Sequence, residues 1–210
     1  MTALKSLLFL ILAPGMVAGY IPLVLVSSGP KIETGFFAYL AGSAFVYMRL
    51  FGLTERQYGW VFGANAVALI GGSQLNHFLL RKGSSLQISF ITSVFQLAIG
   101  MLLIVSAATI DYSTPAMYVL IFVFLLTQGI LTPNTTALAL NRFRESAGTA
   151  SAVIGFIQTL CGVLATGLVS LLHNGTALPM TAVMTGFSCL GVSSLVFRKI
   201  QDEKEWKAKS

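Results

Sequence analysis

Charge is what this sequence has least of. Of its 210 residues 10% are Asp, Glu, Lys or Arg, and 7 of these are acidic, where an ordinary soluble domain carries roughly 25% charged residues. Cysteine and histidine are almost as scarce, with 2 of each. Cys161 and Cys189 both fall inside apolar runs, so they form no CxxC pair, zinc spacing or disulfide framework and read as small hydrophobes in packed helices. His77 and His173 stand alone, and without a second ligand neither makes a metal centre or an acid–base pair. The sequence has no GxSxG, HExxH, GxGxxG or P-loop. These absences argue against an enzyme, and they call for no cofactor and no metal.

What fills the chain instead is apolar surface. Hydrophobic residues make up 55% of it, and the mean hydropathy is +0.82. One buried core cannot absorb that excess, so the partner it predicts is the lipid bilayer. At about 20 residues per crossing, the length has room for roughly six or seven helices. The predicted fold class is therefore an all-α membrane protein.

Seven apolar stretches stand out, at residues 6–26, 35–51, 57–80, 85–108, 115–140, 148–172 and 177–197. Polar breaks separate them, the first at residues 30–34 with Pro30, Lys31 and Glu33. The division expected is an N-terminal hydrophobic helix in 1–30, a six-helix unit in 31–198 and a charged tail in 199–210. Residues 6–26 fit either a further crossing or a signal peptide, because Lys5 precedes an apolar core rich in small residues.

Basic residues sort these loops by side. If the 30–34 break is cytoplasmic, then Lys31, Arg81, Lys82, Arg142, Arg144, Arg198, Lys199, Lys204, Lys207 and Lys209 share that side. The other side keeps Lys5, Arg49 and Arg56. The asymmetry predicts a cytoplasmic C-terminus. It also turns the net charge of +6 into a topology signal rather than a nucleic-acid signal.

No carboxylate falls near the middle of any apolar stretch, so a proton-coupling group is not expected in these helices. Uncharged polar and small residues do form stripes. Asn65, Ala68, Gly72 and Asn76 share one helical face, as do Ser89, Ser93, Gln96 and Gly100. Gln128, Thr132, Thr135 and Thr136 surround Pro133, and Gly148, Gly155 and Gly162 repeat at heptad spacing near Gln158, Thr166 and Ser170. Such stripes suit either helix–helix seams or the lining of a central cavity.

From residue 35 onward the chain resembles the C-terminal half of a major facilitator superfamily transporter. The drug-resistance branch of bicyclomycin and chloramphenicol exporters (Bcr/CflA-type) is the one it is most similar to. The resemblance rests on residues 35–47 (Gly-Phe-Phe-Ala-Tyr-Leu-Ala-Gly-Ser-Ala-Phe-Val-Tyr), 58–65 (Tyr-Gly-Trp-Val-Phe-Gly-Ala-Asn) and 72–76 (Gly-Ser-Gln-Leu-Asn) leading to 81–83 (Arg-Lys-Gly). It continues through 133–140 (Pro-Asn-Thr-Thr-Ala-Leu-Ala-Leu) and 147–158 (Ala-Gly-Thr-Ala-Ser-Ala-Val-Ile-Gly-Phe-Ile-Gln). It implies helices seven to twelve of a twelve-helix protein that exports drug-like or other small amphipathic molecules by alternating access. Proton antiport in a bacterial inner membrane is implied with it, the coupling residues being expected in the other half.

On the resemblance, Tyr39, Ser43, Tyr47, Asn65, Gln128, Asn134 and Gln158 are expected to face the substrate cavity, and Gly72, Asn76, Arg81 and Gly83 to form a cytoplasmic gate. The polar stripe around Gln96 is expected to be packing. A complementary six-helix half or a second copy is the partner such a unit needs. Residues 1–30 are weakly similar to the first helix of small membrane methyltransferases, without a cofactor motif. The alternative to transport is a non-transporting membrane fragment, truncated or fused, or an assembly partner for another helix bundle.

Overall fold

A computed structural model describes residues 29–109, 114–141 and 147–209. Among them the chain forms six long helices and no strand. The first, α1, runs over Gly29–Ala44 and continues without a break as a π-helix over Phe45–Leu50. It is followed by α2 (Glu55–Leu79), α3 (Ser85–Ala108), α4 (Thr114–Leu140), α5 (Ala147–Leu171) and α6 (Leu178–Lys209). The stretch at 6–26 lies outside the described residues, as do Arg142, Arg144 and Glu145.

Local chemistry sets several of these boundaries. Thr54 and Gln57 form a capping box, with Thr54 N donating to Gln57 Oε1 at 2.9 Å and Gln57 N to Thr54 Oγ1 at 3.3 Å. Ser84 and Gln87 repeat the device at the start of α3. Each box satisfies two backbone donors that a helix start otherwise leaves bare. The first box starts α2 at Glu55, ahead of the apolar run that begins near residue 57. The expected break at 30–34 is instead the first part of α1. Pro30 is tolerated there because the missing N–H has no helical partner at that position.

The residues expected as a charged tail continue α6 to Lys209. Its 32 residues measure about 48 Å at 1.5 Å per residue, against a hydrocarbon core of about 30 Å. The end of α6 therefore stands clear of the bilayer. Four described segments are long and apolar enough to cross a membrane: Ser85–Ala108, Pro115–Leu140, Gly148–Leu171 and Leu178–Phe197. The α-helical part of α1 has 16 residues, and α2 is diluted by Asn65, Gln74, Asn76 and His77.

The packing is centred on α1 and α4. Helix α4 runs along α2 and α3, α1 rests on α5 and α6, α3 closes against α6, and α1 meets α4 in the middle. Ile121, Phe124 and Leu125 of α4 are fully buried with Tyr39 and Tyr47 of α1, Leu103 of α3 and Met184 of α6. The outer faces are apolar too, with Trp60 74% and Leu171 85% exposed. Only lipid or another apolar body suits such a surface.

Close backbone approach occurs where glycine permits it. A Cβ on Gly72 of α2 would run into the carbonyl oxygen of Leu126, and one on Gly129 of α4 into that of Leu69. The two glycines thus bring α2 and α4 into backbone contact. On α5, Gly162 packs under the Phe37 ring, whereas Gly148 and Gly155 face open space.

Candidate substrate groove

Polar side chains inside the bundle gather into three networks. The first joins α1 to α2. Asn65 Nδ2 donates to Tyr39 Oη at 2.9 Å and lies 3.4 Å from Tyr47 Oη, while Ser43 Oγ and Tyr58 Oη are hydrogen-bonded at 3.1 Å. Tyr47 stacks flat on Tyr118 of α4, with ring centroids 5.3 Å apart. The π-helix turns the end of α1 into this arrangement, Phe51 N donating to Val46 O and Leu53 N to Tyr47 O, each at 3.1 Å. Tyr39, Ser43, Tyr47 and Asn65, expected to face a cavity, are brought together inside a seam, where all four are buried.

The second network joins α3 to α4. Gln96 Nε2 donates to Gln128 Oε1 at 2.8 Å, and both residues are buried. Among the described residues, Gln96 Oε1 and the hydroxyls of Ser89 and Ser106 lack a hydrogen-bond partner.

The third network joins α2 to α4 nearer their C-terminal ends. Asn134 Nδ2 donates to Asn76 Oδ1 at 2.5 Å and to the carbonyl of Ile130 at 3.0 Å. It sits beside Pro133, which lies inside α4 and has no N–H for the carbonyl four residues before it. A residue expected in the cavity and one expected in the gate are thus bonded to each other.

Between α1, α2 and α4 lies a groove of about 440 Å³, lined by Phe36, Phe37, Leu69, Ile70, Ser73, Gln128, Gly129, Thr132 and Pro133. Its volume is within the ~300–1,000 Å³ of small-molecule sites. Two aromatic rings face an amide and two hydroxyls there, with no charge among the described residues of the lining. Of the seven residues expected to bind substrate, Gln128 lines it. Gln158 is half-buried on α5, apart from all three networks.

Of the expected gate, Gly72 sits in the α2–α4 contact and Arg81 is exposed just past α2, its guanidinium 5.6 Å from the Phe78 ring centre. Gly83 closes that turn through a 3.1 Å bond from its N–H to Leu79 O. Sequence reasoning missed Phe36, Phe37 and Ser73, although all three fall within the quoted segments. A larger groove of about 560 Å³ opens between the N-terminal halves of α2 and α4, but Leu53, Trp60, Val61, Val119 and Phe122 make it mainly apolar. Among the described residues, no three His, Cys, Asp or Glu side chains cluster as a metal site.

An all-helical apolar bundle with four segments long enough to cross a bilayer is the architecture of a multi-pass membrane protein. Two curated homologues carry names that speak of transport and of drug resistance. The chain is 30% identical over 176 residues to the uncharacterized MFS-type transporter YdgK of Bacillus subtilis, an alignment covering 82% of this chain and 42% of that protein. It is 29% identical over 163 residues to the bicyclomycin resistance protein homolog of Haemophilus influenzae, covering 78% and 40%. The resemblance to major facilitator transporters read from the segments above is thereby shown. The chain spans about two fifths of the length of the curated relatives it matches. No family model matches it, and no solved structure does. Homology to transporters supports the reading that it is not an enzyme.

Proposed function

We propose that this chain forms one wall of an alternating-access exporter for small, amphipathic, largely uncharged compounds, and that the groove between α1, α2 and α4 holds them. The observation carrying this reading is the groove's lining: Phe36 and Phe37 offer apolar contact, while Ser73, Gln128 and Thr132 offer hydrogen bonds without charge. The bicyclomycin resistance homolog among the relatives makes bicyclomycin the first compound to test.

A complementary six-helix half or a second copy supplies the opposite wall, and proton antiport runs through a carboxylate on that partner. In the described helices, Glu33 and Glu55 lie near helix starts and the acidic residues of α6 lie at 202–205, away from any midplane. The Asn76–Asn134 bond, beside Pro133, serves as the hold that releases when the cytoplasmic ends of α2 and α4 part. The excess of basic residues on one side supports putting those ends and the C-terminus in the cytoplasm of a bacterial inner-membrane protein.

The test is accumulation of labelled bicyclomycin in susceptible bacteria expressing the chain together with a complementary six-helix half, at a verified membrane level. Expression lowers accumulation severalfold, and Gln128→Leu or Asn134→Ala restores most of it. Accumulation indifferent to expression of the wild type overturns the export reading.

A further inference from the structure

On the far side of the bundle from the substrate groove, α3 and α6 lie against each other and leave a second, smaller groove. Leu86, Gln87, Phe90 and Ile91 of α3 and Leu195 of α6 line it, around about 170 Å³. The crossing segments of these helices are Ser85–Ala108 and Leu178–Phe197, so Leu86 and Leu195 both lie close to an end, and the groove sits at the edge of the hydrocarbon. Its base is firm: Leu195 is fully buried with Leu131 of α4, and Leu86 and Phe90 pack against the pair. Its outer side is open. Ile91 is 68% exposed, and Val94 and Phe95, three and four residues on, continue an apolar exposed face along α3.

The water-side rim is basic. Arg81 and Lys82 are exposed in the turn that precedes α3. A Cβ on Gly83 would lie 3.7 Å from Gln87 Oε1, so the turn carrying Lys82 rests directly on a residue of the groove. On α6, Arg198 and Lys199 follow Leu195 by three and four residues, one helical turn further out. The acidic residues of that helix begin only at Asp202. The backbone at the start of α3 adds little to this rim, because Ser84 and Gln87 already satisfy each other's N–H groups. Four basic residues thus stand at the mouth of an apolar slot that opens sideways to lipid.

We propose that the α3–α6 groove binds an anionic phospholipid, with an acyl chain along Phe90, Ile91 and Leu195 and the phosphate at the rim of Arg81, Lys82, Arg198 and Lys199. Charge complementarity selects this occupant. Basic residues just outside crossing helices attract anionic headgroups, whereas a zwitterionic headgroup brings an ammonium that the same rim repels. A soluble anion would use the rim and leave the apolar slot empty. The site holds whether or not the chain exports anything, since it shares no residue with the substrate groove.

The experiment titrates the purified, delipidated full chain in detergent with phosphatidylglycerol or with phosphatidylcholine of the same chains, and counts bound lipid by native mass spectrometry. Phosphatidylglycerol binds about tenfold more tightly, as expected at roughly 1 kcal/mol per basic residue near the headgroup. Replacing Lys82 and Lys199 together by Gln removes most of that preference and leaves phosphatidylcholine unchanged. Ile91→Asn, at an exposed position of the slot, weakens both lipids. Arg56→Gln, beside the start of α2 at the other end of the bundle, changes neither. Unfolding midpoints of the variants stay at the wild-type value. Equal affinity for the two lipids overturns the proposal, as does an undiminished preference in the Lys82/Lys199 variant or an equal loss in Arg56→Gln. Displacement of phosphatidylglycerol by millimolar inorganic phosphate also overturns it, by showing a plain anion site in place of a lipid groove.

Discussion

Inside a bilayer a polar side chain has no water to fall back on, so its place is fixed by what it can bond to. Asn65 is the clearest case, since it joins the hydroxyls of Tyr39 and Tyr47 across the α1–α2 seam. Asn65→Leu leaves both hydroxyls without that donor and should lower stability by about 0.6–1.7 kcal/mol, read as a fall in the unfolding midpoint in detergent. The glycines divide more sharply. Gly72→Ala and Gly129→Ala each press a methyl group onto a backbone carbonyl that cannot step aside, at a cost of about 1–3 kcal/mol. Gly63 and Gly155 face open space, and the same change there should shift stability by less than about 0.5 kcal/mol. The sequence singled out Gly72 and Gly155 alike, because spacing along a helix identifies a face but not whether another helix lies against it. For the same reason Gln96 was legible as part of a polar stripe while its bond to Gln128 was not. Tyr118, stacked on Tyr47, had no signal of its own, since its partner is set by the π-helical end of α1.

Helices were legible because hydropathy marks them, and their ends were legible only where a break in hydropathy coincides with a cap. The start of α3 at Ser85 follows both the apolar run and the Ser84–Gln87 box. The start of α2 follows the Thr54–Gln57 box, which hydropathy alone does not register. Lys31 and Glu33 suggested a loop, but polar residues are compatible with the first turns of a helix, and α1 begins at Gly29. Within α4, Pro133 leaves a carbonyl without its helical donor while Asn134 braces the same segment through Ile130 and Asn76. Pro133→Ala restores the missing N–H and should stabilise the chain by up to about 3 kcal/mol, raising the unfolding midpoint. On the proposed mechanism it also slows bicyclomycin export, because a straighter α4 resists parting from α2. A raised midpoint with undiminished export would leave Pro133 without a role in the transport cycle.

At the scale of the molecule, two properties come from different parts of the sequence. The apolar excess makes the bundle a membrane body, and on the proposed topology the placement of thirteen Lys and Arg orients it. A fluorescent protein fused after residue 210 should therefore fold and fluoresce in the cytoplasm, whereas a periplasmic phosphatase fused there should stay inactive. The reverse pattern would invert the topology. The groove was the least legible feature, because Phe36, Phe37, Ser73, Gln128 and Thr132 come from three helices whose contact depends on the Gly72–Gly129 approach rather than on any one segment. Whether that groove holds substrate is tested most directly by filling it. Binding of labelled bicyclomycin to the purified chain should fall more than tenfold in Thr132→Trp, which occupies the groove, and remain at the wild-type value in Val163→Trp, which adds the same ring to an exposed position on α5. Undiminished binding in Thr132→Trp, with the protein folded, would place the substrate elsewhere and contradict the account.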